Sequence, residues 1–269
     1  IHYGDGAMVY IGIYTVVKSK AAKMVEAYGN NYFMIGPYFA SKAIGQFQEG
    51  VPNEFCKVPF EELKKLGMIC HFGRWLTEGS PFVILIDFVN YKYRTNDIKR
   101  ELWDWYKIDS LRASQDYDEP VVWAYAVGML IEKLAIGYTN KKIVAHFHEW
   151  LAGAGLLYLK KKNAKVATVF TTHATVLGRA LANSNVDLYN IWDKINPDLE
   201  VYNYNAEAKH LVEKNSAEFA DVFTTVSEIS GMETEYLLKK KPDVLLPNGL
   251  DISKFPTFEE IVIKHRFQR

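Results

Sequence analysis

Residues 145–150, AHFHEW, place two histidines and a glutamate where the apolar run KKIVA gives way to the helix-like LAGAGLLYLKKK. On a strand, His146 and His148 point to the same face, so they could share a metal ion or pack as a hydrogen-bonded pair. A metal would need a third ligand, for which His71, His173 or Glu149 are the candidates. Glu149 falls at the first turn of the following helix, where the dipole favours a carboxylate. It either caps that helix or stands at the mouth of a sheet, accepting hydrogen bonds from a polyhydroxylated ligand.

The stretch FTTHATVLGR (170–179) sets His173 just past the apolar run VATVF, flanked by small hydroxylated residues. There it is either a packed core histidine or a group that bonds a sugar hydroxyl and faces developing positive charge. Arg179, about two helical turns on, could hold an anion or a hydroxyl, or serve as a surface ion-pair partner. LLPNGLD (245–251) ends a buried run in Asn248-Gly249; alone this is a tight turn, but at a sheet edge Asn248 could donate and accept toward a ligand. Near the start, VYIGIYTV (9–16) is a possible phosphate cradle. Gly4, Gly6 and Gly12 form neither GxGxxG nor a P-loop, which excludes a nucleoside-triphosphate site of that kind, yet Gly12 before a helix N-terminus allows close backbone approach to an anion. GxSxG is absent, which weakens an α/β-hydrolase reading.

These residues need a frame. Apolar residues at Ile13, Val17, Ala21, Met24 and Tyr28 have the spacing of an amphipathic helix, which Gly29 stops. NYFMIGPY (31–38) reads as a buried strand; MICHFGRWL (68–76) and PFVILIDFV (81–89) read as a hairpin joined by TEGS. Residues 90–118 read as a loop-rich, partly helical insertion, and 119–137 as a long buried helix with Pro120 near its first turn. From there strands KKIVAHF, KVATVFTT, ADVFTTVS and DVLLPNG alternate with helices. Alternation with Val/Ile-rich strands predicts an α/β fold, a doubly wound parallel sheet whose ligands sit outside the carboxyl ends of the strands. Gly36, His148, His173, Ser227 and Asn248 occupy those ends.

Thirty-two basic and 32 acidic residues in 269 remove the electrostatic argument for nucleic acid or an anionic membrane. The longest apolar runs fall short of the ~18 to 20 residues that span a bilayer. Cys56 and Cys70 are too few for a disulfide framework, which fits a reducing, cytoplasmic setting. The chain begins with Ile1 rather than Met, so a longer natural chain is expected.

Taken in order, NYFMIGPY, HFGRWLTEG, AHFHEWLAGAGL, VFTTHATVLGR, VDLYN, ADVFTTVSEI and LLPNGLDISKF resemble the N-terminal half of the eukaryotic-type glycogen synthases, glycosyltransferase family three. The resemblance implies a GT-B architecture of two Rossmann-like domains across a cleft. It implies transfer of glucose from the co-substrate UDP-glucose to the non-reducing end of an α-1,4-glucan, with retention and without a metal or other cofactor. Carried over residue by residue, it makes His173 the catalytic histidine at donor glucose, Asn248 and Gly249 of PNG a sugar contact, and Glu149 of HEW an acceptor-side carboxylate. Arg179, Gly12, Tyr14 and His148 complete the substrate-binding set. The basic residue and first glycine that the family carries before Ile-Tyr are replaced here by Val9, Tyr10 and Ile11 ahead of Gly12. Residues 1–255 are then the acceptor-side domain and 256–269 the start of an interdomain linker. The donor-binding domain is expected in cis or as a separate chain, in an oligomer when complete. The other class of reading is a non-catalytic α-glucan-binding or regulatory module, for which the altered VYIG segment speaks.

Overall fold

The computed structural model describes residues 8–137 and 142–249, with side chains from residue 14 onward. A long helix, α1 (Met8–Tyr28), is followed by β1 (Phe33–Pro37), α2 (Ala40–Ala43), β2 (Phe47–Glu49), α3 (Glu54–Lys65), β3 (Ile69–Trp75), β4 (Phe82–Asp87), α4 (Thr95–Tyr106) and α5 (Gln115–Gly137). Regular alternation follows: β5 (Val144–His148), α6 (Trp150–Lys161), β6 (Ala167–Thr172), α7 (Val176–Asn183), α8 (Pro197–Glu200), α9 (Glu207–Phe219), β7 (Val222–Thr225), α10 (Glu228–Leu237) and β8 (Val244–Leu245).

The fold is α/β with a parallel sheet, as the alternation predicts. The described strands divide between two sheets rather than one, in the orders β1-β4-β3-β2 and β5-β6-β7-β8. The second is parallel throughout. The first is mixed: β1 and β4 run parallel, while β3 is antiparallel to both its neighbours. The TEGS turn is the cause, because it is far shorter than the dozen or more residues a parallel crossover needs. The expected hairpin therefore forms, with Phe72 opposite Ile84.

Three helical boundaries differ from those the sequence suggests. Helix α1 begins at Met8, so Gly12 lies within it and not ahead of its N-terminus. Residues 90–118 are largely helical. There Ile98 and Leu102, one turn apart on α4, bury completely, Trp105 stacks on Tyr125 at 6.3 Å, and the Tyr106 hydroxyl donates to the Leu157 carbonyl at 2.9 Å. Helix α5 starts at Gln115, which leaves Pro120 inside it.

At 23 residues α5 is long and apolar enough to cross a membrane, longer than the apolar run the sequence marks out. Its apolar surface is used inside the fold. A Cβ on Gly128 would lie 2.7 Å from the Gly155 carbonyl, and one on Gly155 would lie 2.5 Å from that of Ala124. Two facing glycines thus let α5 and α6 approach backbone to backbone. Together with α9 they cover the core of the parallel sheet, where Phe170 of β6 and Phe223 of β7 are wholly buried and stacked at 6.1 Å. Burying each ring contributes roughly 1.5–3 kcal/mol. A smaller apolar group, Leu177, Leu181, Leu188, Val201 and Leu237, ties α7 to α10. Cys56 is buried and Cys70 half-buried, both thiols free and pushed up to about 12, chiefly by burial. The expected linker at 256–269 lies outside the described residues.

Candidate functional site

Parallel pairing sets the carboxyl ends of β5 and β6 side by side, with His148 opposite Thr171. The chain leaves both strands at the same edge, and this brings His148, Glu149 and His173 together. His146 and His148 stack at 4.1 Å, as alternation along a strand requires. The His148 Nδ1 lies 3.3 Å from His173 Nε2, and His146 Nε2 lies 2.7 Å from the Thr171 hydroxyl, which continues to Thr224 at 2.6 Å.

Helix α1 adds a residue that the sequence does not flag. Lys20 Nζ reaches His148 Nε2 at 3.2 Å, and burial lowers its pKa. A lysine ammonium only donates, so His148 accepts at Nε2, donates from Nδ1 to His173 Nε2, and leaves His173 its proton on Nδ1. All three rings are held neutral. Burial first, and then Arg179 and Lys20, pushes His173 down to about 4; burial first, and then the adjacent His146 ring and Lys20, holds His148 well below the ordinary imidazole range. His146 moves in the same direction and is the most open of the three. With both His148 nitrogens and His146 Nε2 engaged, the pair is the packed, hydrogen-bonded alternative. Among the described residues no group of three or more His, Cys, Asp or Glu could hold a metal ion.

The other side of the site is acidic. Glu149 adopts φ 63° and ψ 165°, a region that glycine occupies almost alone, and holding it there stores about 1–3 kcal/mol. Its amide remains in the sheet, donating to the Thr171 carbonyl at 2.9 Å. Its side chain makes no capping bond to α6. Instead Oε1 accepts from the His173 amide at 2.8 Å and from Arg179 Nη2 at 3.1 Å. The capping reading therefore gives way to a cross-strand one. Glu149 is only 1 % exposed, so its side chain is not open to direct contact with a ligand. Burial raises its pKa, and Arg179 opposes that rise.

Two further glutamates lie beside it, both missed by the sequence reading. Glu233 of α10 accepts from the Thr175 amide at 2.9 Å and from the Thr175 hydroxyl; Glu213 of α9 accepts from the Val176 amide at 2.9 Å. Both are buried, and burial followed by the charge of Glu149 holds Glu213 well above the ordinary carboxyl range. Thr175 caps α7, its hydroxyl accepting from the Gly178 amide at 3.0 Å. Gly178 has no room for a side chain, since a Cβ would collide with Glu233 Oε1 and Thr175 Oγ1. The usable signal was position within a helix: Glu213 follows Ala206 and His210 on one buried stripe of α9, and Glu233 precedes Leu237 by one turn on α10.

The remaining predicted residues are more scattered. Arg179 keeps 34 % of its side chain open to solvent beside its ion pair with Glu149. Asn248 and Gly249 are exposed just past β8, at the same edge as His173 but two strands away. Tyr14 is not brought to His173: its hydroxyl donates to Gln46 Oε1 at 3.4 Å and its ring meets Trp75 edge-on at 5.2 Å, both next to the mixed sheet. Gly12 lies in the body of α1, where backbone amides are committed to the helix. The histidines, Arg179 and the buried glutamates thus form one cluster able to orient hydroxyls and an anion.

Comparison with known proteins agrees with this frame. Residues 7–269 match the family described as glycogen synthase. The chain is 43 % identical over 257 residues to a glycogen [starch] synthase of Dictyostelium discoideum, covering 94 % of this chain and 29 % of the relative. It is 38 % identical over 255 residues to the human liver glycogen [starch] synthase, covering 94 % of this chain and 36 % of the relative. It is also 38 % identical over 256 residues to the Neurospora crassa glycogen [starch] synthase, covering 95 % and 36 %. The chain thus spans about a third of the length of these curated relatives, in their N-terminal part. Three relatives from distant organisms and a family match over nearly every residue place this chain in the glycogen synthase family.

Proposed function

We propose that the chain forms the acceptor-side half of a retaining glucosyltransferase, which moves glucose from UDP-glucose to the non-reducing end of an α-1,4-glucan. It is competent only when a donor-binding C-terminal half closes over it, in cis or as a second chain. The observation that carries this reading is the neutral His173 ring held at the carboxyl edge of a parallel sheet, its amide fixed by a buried carboxylate that also holds Arg179. A neutral, pre-oriented imidazole can bond a sugar hydroxyl without placing positive charge beside an oxocarbenium-like centre. Arg179, one-third exposed, supplies a cation on this side of the cleft for the diphosphate leaving group. Asn248 and Gly249, at the end of β8, contribute to the same wall. Glu149 positions His173 and Arg179. Catalysis is then positional and electrostatic, with no resident cofactor assigned.

Mixing this chain with a C-terminal half from a matching relative and following glucose transfer to glucan tests the reading; transfer is expected from the mixture and not from either half alone. A second reading, a non-catalytic α-glucan-binding module, draws on one observation: α1 runs unbroken through Gly12, so no loop is offered to a diphosphate there. Maltooligosaccharide binding with no transfer from any mixture would favour it and sink the first.

A further inference from the structure

We propose that Glu213 and Glu233 are positioning residues for His173: with Glu149 they grip the segment 173–176 by its backbone and fix where the imidazole stands. The proposal rests on the reading of His173 as the catalytic group, but its geometry can be tested apart from transfer. The amides of His173, Thr175 and Val176 donate to three different carboxylates, from the end of β5, from α10 and from α9. The amides of Thr175 and Val176 belong to the N-terminus of α7, where four backbone donors lack intrahelical partners, and the His173 amide lies just ahead of it. Ordinary capping needs only one short side chain, and Thr175 already supplies it.

Three buried carboxylates facing a single arginine exceed that need. Removing a carboxylate from water is expensive unless its partners are well placed, and helix capping alone would not require it. What the arrangement adds is a fixed backbone immediately after the β6 strand. Each amide is tied to a separately packed element, so the loop cannot shift without moving α9, α10 or the β5 end. Gly178 shows how close the fit is, since even a methyl group there has no space beside Glu233 and Thr175.

The groups around Glu213 are Glu149 past β5, Arg179 on α7 and Glu233 on α10. Burial first, and then the charge of Glu149, raises the Glu213 carboxyl well above its ordinary range, and the carboxyl accepts through an oxygen in either protonation state. A glutamine of the same shape can therefore replace it, whereas an aspartate is one methylene too short and a leucine cannot accept. This separates a positional role from a requirement for charge.

The test uses the full chain with Glu213→Gln, Glu213→Asp, Glu213→Leu and Glu233→Leu, reading amide hydrogen exchange at His173, Thr175 and Val176 together with the NMR titration of the His173 ring. Glu213→Gln should retain exchange within about twofold of the original chain and leave the His173 titration in place. Glu213→Asp should raise exchange at Val176 by about tenfold, the equivalent of one lost hydrogen bond, and move the His173 titration up toward ~6.5 as the ring leaves its buried contact. Glu233→Leu should do the same with the largest change at Thr175. Should Glu213→Leu not fold, Glu213→Asp carries the measurement. Unchanged exchange and unchanged His173 titration in folded Glu213→Asp and Glu233→Leu would overturn the proposal. Transfer by the original chain with its C-terminal half is scored separately, so loss of the enzymatic reading and loss of the positional one are distinguishable.

Discussion

The two sides of segment 173–176 solve opposite problems. On one side, three imidazoles and Lys20 share space, joined by ring nitrogens, with His146 open to water and His148 and His173 half-buried. On the other, Glu149, Glu213 and Glu233 are sealed in and each accepts from a backbone amide of the segment. The basic side is held by side chains that could rearrange; the acidic side is anchored to main chain that cannot. A site that must meet a ligand needs the first kind of surface. It needs the second to support it.

The most disruptive change should be at Glu149, where the acidic side meets the ion pair. Glu149→Ala removes the acceptor for the His173 amide and the partner of Arg179, and should destabilise the chain by about 2–4 kcal/mol, less than a fully buried pair because Arg179 can rehydrate. Glu149→Gly loses the same bonds but is at ease at φ 63°, so it should be about 1 kcal/mol more stable than the alanine variant. Urea unfolding of both variants checks this. If the alanine and glycine variants were equal, backbone strain at this residue would be ruled out. Glucose transfer with the C-terminal half should fall by about 10²-fold in both, since a small displacement of His173 is enough.

Gly178→Ala is the next largest. Helix propensity alone favours alanine by ~1 kcal/mol, so on an open helix the change would stabilise. Here the methyl collides with Glu233 and Thr175, and overpacking of this kind costs about 1–3 kcal/mol. A net loss of stability by thermal melting, with faster exchange at the Thr175 amide, is expected. A gain would show that the acidic side has slack.

These residues show where sequence reading reached and where it stopped. The alternation after residue 142 placed His148, Glu149 and His173 at one edge of a parallel sheet, because strand direction and period are written in local apolar patterning. The conformation of Glu149 was not legible: a glutamate after a strand and before a helix reads as a cap, and only the assembled edge forces its φ to 63° and turns its side chain to the next strand. Lys20 contacts His148 across 128 residues, and Glu213 and Glu233 reach Val176 and Thr175 across 37 and 58. No local pattern encodes such meetings. The same holds for Tyr14, whose neighbours Gln46 and Trp75 follow from how α1 lies against the mixed sheet.

The smallest effect is in pH dependence, and it distinguishes the two sides by sign. His173 titrates near 4 when folded and near 6.5 when unfolded, so between those values the unfolded chain binds more protons. Its contribution is present above about 6.5 and is lost as pH falls toward 4, where charging the ring would also set it against Lys20 and Arg179. Glu213 is raised, so the folded chain binds the extra proton; its contribution is full below about 4.5 and is lost as pH rises through its elevated folded value. Stability measured by urea unfolding from pH 4 to 8 should therefore lose part of its rising slope between about 4 and 6.5 in His173→Gln and part of the opposing, falling slope that begins above about 4.5 in Glu213→Gln. Either variant changing the slope with the wrong sign would mean that the group does not titrate as assigned. Because His148 stands between Lys20 and His173, His148→Gln should weaken the same acid limb and leave the Glu213 limb untouched.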